Sequence, residues 1–189
     1  SFTIDMDKLG YDEWWIKDYE YDKGTTTLKL KLSDNLSHSI IAYEEEDQKK
    51  YSIKNDSKAI GEITIEEKES KKKAIFKLKD EEKIKRLSQI LNALKNGLIY
   101  HTSGENYGIV PVFMIAAGLK VPIPLFHSFV ELGSFENSII NNEYILSNNN
   151  ENKKLVFVYN PKNLVGNIDT ANLYTDWNVF LKDIIGVNS

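Results

Sequence analysis

The feature that most restricts the fold is a period-two alternation that recurs along the first half of the chain. In "TTTLKLKLS", Leu28, Leu30 and Leu32 alternate with Thr27, Lys29 and Lys31. A strand of this composition buries one face and wets the other. A helix would scatter the same leucines round its circumference. "EWWIKDYEY" precedes this segment, and Asp22-Lys23-Gly24 between them is a turn signal that makes a hairpin of the two. "SHSIIAYE", "KYSIK", "AIGEITIEEK" and "KAIFKLK" continue the pattern, separated by "EEEDQK", "NDSK" and "ESKK". Such regular spacing predicts an antiparallel meander of about six strands.

A helix is expected next. Asp80 can cap it, Glu81 and Glu82 suit its first turn, and Gly97 stands just past its end. Ile84, Leu87, Leu91 and Leu94 fall at helical spacing and give one apolar stripe. Beyond it, "LIYH" reads as a short strand and "IVPVFMIAAG" as a helix from Pro111 to Gly118. "SIINNEYIL" and "KKLVFVYN" read as two strands joined by a polar loop. "YTDWNVFLKDIIG" reads as a final helix with Thr175 or Asp176 near its cap. The expected fold class is therefore α+β. It is a single domain over residues 1–189, in which the meander packs with about three helices and a short second β-element. Residues 1–97 and 98–189 are possible lobes, since residues 1–95 hold 39 of the 52 charged side chains.

Residues 109–126, "IVPVFMIAAGLKVPIPLF", are the least polar stretch. A membrane span needs roughly 20 consecutive apolar residues, whereas the uncharged run here ends at Leu119, and Pro122 and Pro124 break any helix. The stretch is not a span. Either it is buried throughout, or Val121 to Phe126 lines an exposed groove for a partner.

Composition removes several kinds of chemistry. The chain has no cysteine, so thiol nucleophiles, disulfides and Cys-bearing zinc sites are excluded. Of its 24 cationic residues only Arg86 is arginine, which excludes a site built on two guanidinium clamps. Scarce Ala, Gly and Pro with abundant Asn, Lys and Ile fit an AT-rich, bacterial source genome. No Walker-type or dinucleotide-type glycine loop occurs. The formal net charge of −4 lacks the basic footprint of a duplex binder, so nucleic acid is not an expected partner. Ser1 is followed by no charged and then apolar leader, and a cytoplasmic setting is the expectation, with a trimmed signal left open.

The densest cluster of candidate function is "DMDKLGYDEWWIKDYEYD". Asp5-x-Asp7 with Gly10 echoes a calcium loop, but Leu9 and Ile16 stand where oxygen ligands belong, so no metal or other cofactor is expected. An acidic, aromatic surface formed by Asp12, Glu13, Trp14, Trp15, Tyr19 and Tyr21 would dock a basic protein. The expected function is accordingly a non-catalytic binding module, an immunity or inhibitor protein that neutralises a basic toxin. The competing expectation is a metal-assisted hydrolase, with Glu66 and Lys68 as its carboxylate and lysine and His101 as a general base. "KESKKKAIFKLK" is locally basic, but Glu66, Glu67 and Glu69 lie beside it, so it gives only weak support to nucleic-acid binding there.

Overall fold

The computed structural model describes residues 3–46, 49–102, 105–120, 123, 125–131, 139–140, 143, 145, 154–166 and 168–187. The chain divides into two compact units, one over Asp5–Lys83 and one over Ile84–Ser189 together with Ser1–Ile4.

The first unit is all strand up to its closing helical turn. It contains β1 (Tyr11–Ile16), β2 (Asp18–Asp22), β3 (Thr27–Ser33), β4 (Leu36–Ile41), β5 (Tyr43–Glu44), β6 (Lys50–Asn55), β7 (Lys58–Lys68) and β8 (Lys71–Leu78). A five-stranded sheet runs β1-β8-β7-β6-β5 and a three-stranded sheet runs β2-β3-β4. Every pairing is antiparallel. Only Lys17 separates β1 from β2, and only Ala42 separates β4 from β5. Both edges of one sheet therefore run on into both edges of the other, and the strands close into a six-membered ring. Two backbone bonds carry the ladder past the corners: Lys17 N–H donates to the Lys31 carbonyl at 2.7 Å and Ala42 N–H to that of Thr26 at 2.9 Å. Alternation fills the interior. Ile16, Leu28, Leu30, Tyr51, Ile63, Ile65 and Ala74 are buried there, with Trp14, Tyr19, Tyr21 and Phe76 packed against them.

Two details of this unit follow from backbone chemistry. In the β2–β3 turn, Asp22 accepts hydrogen bonds from the Gly24 amide and the Thr25 hydroxyl, each at 2.8 Å. These hold its carboxyl below the usual range, the hydroxyl bond first. The left-handed residue of that turn is Thr26, at φ 50°, not Gly24. Gly10 has φ 72° and its carbonyl accepts from Leu78 N–H. A Cβ there would stand 2.8 Å from the Leu78 side chain, so no other residue allows β8 to lie this close.

Helix α1 (Asp80–Asn96) has Asp80, Glu81 and Glu82 in its first turn and buries Leu87. Lys83 N–H donates to the Lys79 carbonyl, which places Lys79, rather than Asp80, at the cap position. In the second unit β9 (Leu98–Thr102) and β10 (Glu105–Ile109) form a hairpin. β11 (Met114–Ala117) pairs with β14 (Val156–Tyr159), and β12 (Val130–Glu131) with β13 (Ile139–Ile140). Helix α2 (Trp177–Ile185) completes the described elements. The β11–β14 ribbon is covered on both faces. Ile115, Ala117, Val156 and Val158 pack with Ile145 and Leu173, while Met114, Ala116 and Phe157 pack with Trp177, Phe180, Leu181 and Leu91. Asp176 caps α2, accepting from Val179 N–H at 3.0 Å, and Gly186 ends it at φ 73°.

The structure corrects the expected α+β class. The protein is mostly β; α1 and α2 are the helices with described bounds, and Glu143 and Ile145, within the expected strand "SIINNEYIL", are also helical. The difference lies in residues 109–126. The expected helix from Pro111 is instead strand β11, because an apolar run that short is compatible with either element and β14 supplies a partner ladder. Next to it, Phe126–Phe129 is a single 3-10 turn. Ile123 is half exposed and Phe126 joins the core, while Val121, Pro122 and Pro124 lie outside the described residues. Most of the polar loop before "KKLVFVYN" also lies outside them. No helix among the described residues is long and apolar enough to cross a membrane.

Ile63 is fully buried at the middle of the ring. Ile63→Ala should therefore cost about 2–5 kcal/mol in urea unfolding. Asp176→Ala removes only the cap of α2 and should cost about 1 kcal/mol by the same measurement.

Candidate functional site

Side chains alternate across β1, so the adjacent tryptophans part company. Trp14 stacks inside the ring on Phe76, with ring centroids 6.4 Å apart. Trp15 points outward and is 66% exposed, which is uncommon for so large an apolar side chain. Tyr11 and Glu13 share its face. The register extends that face across the sheet: Tyr11, Glu13 and Trp15 stand opposite Lys77, Ile75 and Lys73 of β8. These in turn face Glu62, Thr64 and Glu66 of β7, and Lys71 faces Lys68. Lys50 and Ser52 of β6 come next, with Tyr43 of β5 opposite Ser52.

The outer face is thus a lysine array studded with aromatic rings. Lys71 and Lys73 place their ammonium groups 5.9 and 5.8 Å from the Trp15 ring. Lys77 lies 5.7 Å from the ring of Tyr11 and Lys54 lies 4.2 Å from that of Tyr43. All four are within the range of a cation–π attraction. Carboxylates temper the array: Lys73 pairs with Glu13 at 3.0 Å and Lys50 with Glu62 at 3.4 Å. Glu13 also accepts the Tyr11 hydroxyl hydrogen. The Tyr11 bond and then the Lys73 bond hold the Glu13 carboxyl below its usual range, and the Tyr11 phenol is raised by its bond to Glu13.

A concavity in the other unit is lined by Asn92, Lys95, Asn96, Tyr159, Thr175 and Asn178 beside Trp177. Two contacts tie its lining together. Trp177 Nε1–H donates to Asn92 Oδ1 at 2.7 Å, and Lys95 stands 5.4 Å from the Tyr159 ring.

The family described as "CRISPR-associated negative auto-regulator DevR/Csa2" matches residues 1–143. The chain belongs to this family. No curated protein and no solved structure matches it. Membership of a CRISPR-associated regulatory family overturns two expectations, the immunity or inhibitor protein for a toxin and the metal-assisted hydrolase. It likewise corrects the expected basic protein partner and brings nucleic acid to the front. Net charge sums a whole surface, so a mild overall value does not exclude a locally basic face.

The sequence-derived residues are divided by the fold. Glu13 and Trp15 share the outer face, while Trp14, Tyr19 and Tyr21 pack against the ring's core and Asp12 is exposed at the start of β1. Glu66 and Lys68 lie on the outer face of β7, opposite Lys73 and Lys71. His101 is paired with Asn106 in the β9–β10 ladder, and its side chain is outside the described residues. No group of three His, Cys, Asp or Glu among the described residues could hold a metal ion. Lys71, Lys73 and Lys77 were read only as part of the locally basic "KESKKKAIFKLK" and were not singled out. Their signal was the odd-numbered spacing within "KKKAIFKLK", which sets them on the face opposite Ala74 and Phe76.

The Glu13 shift yields a pH prediction. A depressed folded-state value stabilises the protein above the unfolded-state value, and that contribution is lost as pH falls through the folded value. Carboxyl NMR titration should show Glu13 ionising below an ordinary glutamate, and Tyr11→Phe should raise its midpoint more than Lys73→Met.

Proposed function

We propose that this chain binds single-stranded nucleic acid on the outer face of its five-stranded sheet, and takes part in its family's regulatory role by doing so. The observation that carries the reading is Trp15, an exposed indole held between Lys71 and Lys73. Unpaired bases stack on exposed aromatic rings, and flanking ammonium groups draw in the phosphates. Duplex recognition suits this face poorly. Bidentate guanidinium contacts to base edges need arginine, of which the chain has one. The interspersed glutamates keep the purely electrostatic part of binding modest, so stacking decides affinity. A cytoplasmic setting goes with this reading.

Fluorescence anisotropy with a labelled single-stranded RNA oligonucleotide tests it. Trp15→Ala should weaken binding by about tenfold or more, within the worth of one base stacked on an aromatic ring. Lys71→Ala should flatten the salt dependence by about 0.7 for each phosphate that is no longer neutralised. Unchanged affinity in Trp15→Ala, or tighter binding to duplex than to single strand, would sink the proposal.

A further inference from the structure

Between Tyr11 and Trp15 the outer face carries an ordered row of donors and acceptors. The Lys73 ammonium stands 3.0 Å from Glu13 Oε2, and the Tyr11 hydroxyl donates to Glu13 Oε1. An ionised carboxylate has about four lone-pair positions, and an ammonium about three hydrogens. These two bonds therefore leave an acceptor site on each Glu13 oxygen and two donors on Lys73. Across the row the free functions run donor, acceptor, acceptor. They are accessible, since the Glu13 side chain is 39% exposed and that of Lys73 is 23% exposed. The next outward residue along β1 is Trp15.

We infer that this row selects guanine on the proposed single-strand platform, a specificity that rests on that reading. Along its Watson–Crick edge guanine presents an acceptor, O6, followed by two donors, N1–H and N2–H. Lys73 donates to O6, and Glu13 Oε2 and Oε1 accept from N1–H and N2–H, while the base lies against the Trp15 indole. The other bases mismatch. Uracil sets its O2 against the second carboxylate oxygen. Cytosine sets two acceptors against two acceptors, and its amino group against the ammonium. Adenine likewise sets its amino group against the ammonium. An acceptor–acceptor contact costs more than a missing bond, so the row rejects as well as selects. Glu13 is kept ionised by the same two partners that order it. Its neighbour on the face, Ile75, makes no competing hydrogen bond with its side chain.

The test uses the 189-residue chain and four RNA heptamers that differ at the central position: UUUGUUU, UUUAUUU, UUUUUUU and UUUIUUU, where I is inosine. The guanosine heptamer should bind about tenfold more tightly than the uridine one, as a bidentate base contact at a partly exposed site allows. Inosine keeps O6 and N1–H but lacks the 2-amino group, and should fall between them. Glu13→Gln, at an exposed position, should erase the preference by bringing the guanosine and uridine heptamers to the same affinity, since it removes the acceptor pair that holds guanine and the acceptor that repels uracil O2. Equal binding of guanosine and adenosine heptamers, or a preference that survives Glu13→Gln, overturns the inference. If the heptamers bind in a Trp15-dependent way without preference, guanine selection alone falls. If none binds, or Trp15→Ala has no effect, the platform falls with it.

Discussion

Closure of the six-stranded ring is the constraint from which the rest of the first unit follows. An open sheet leaves unpaired amides and carbonyls along two edges, each a template for unwanted pairing. Here the edges are removed by carrying two strands round a corner, at Lys17 and Ala42, so that each serves both sheets. The corners need backbone bonds that survive the bend, which Lys17 to Lys31 and Ala42 to Thr26 supply. Ala42 is fully buried at its corner, and a larger side chain there would have to displace core atoms. Once the ring is closed, one face of every strand is committed to the interior. The outward face is released from packing duty, and its composition is open to other uses.

That division explains how a mildly acidic protein presents a basic face. Alternation sorts the charges of β1, β7 and β8 by parity, and the outward set is rich in lysine while many acids lie in turns and on β2. The same parity separates Trp14 from Trp15. One indole is a core residue beside Phe76, and the other is left to solvent between two ammonium groups. Glutamates placed among the lysines keep the face from becoming an indiscriminate polyanion trap, and they add acceptors that lysine cannot provide.

The second unit shows where pattern runs out. The strands β11 and β14 are packed on both faces, β14 buried and β11 half-buried, so neither displays the alternation that betrays a strand with one wet side. Such runs are compatible with helix and strand alike, and Pro111 ahead of Met114 favoured the wrong one. Only the partner ladder between residues some 40 positions apart in the chain (Met114 with Tyr159, Ala117 with Val156) resolves the choice, and no local signal encodes a pairing at that distance.

What the sequence determined by itself was local and periodic. The strand at Leu28, Leu30 and Leu32, the Asp22 turn, the acidic start of α1 and the start of α2 at Thr175 or Asp176 each rest on side chains within a few residues of one another. The absence of cysteine and near absence of arginine also bounded the chemistry without any structure. The tertiary structure decided everything that depends on which residues meet across a sheet. It put Lys71 and Lys73 beside Trp15, brought Lys73 to Glu13, and withdrew Trp14, Tyr19 and Tyr21 into the core. Those contacts link β1 to β8 across some 60 residues, and a cross-strand register is a property of the closed ring rather than of either strand alone.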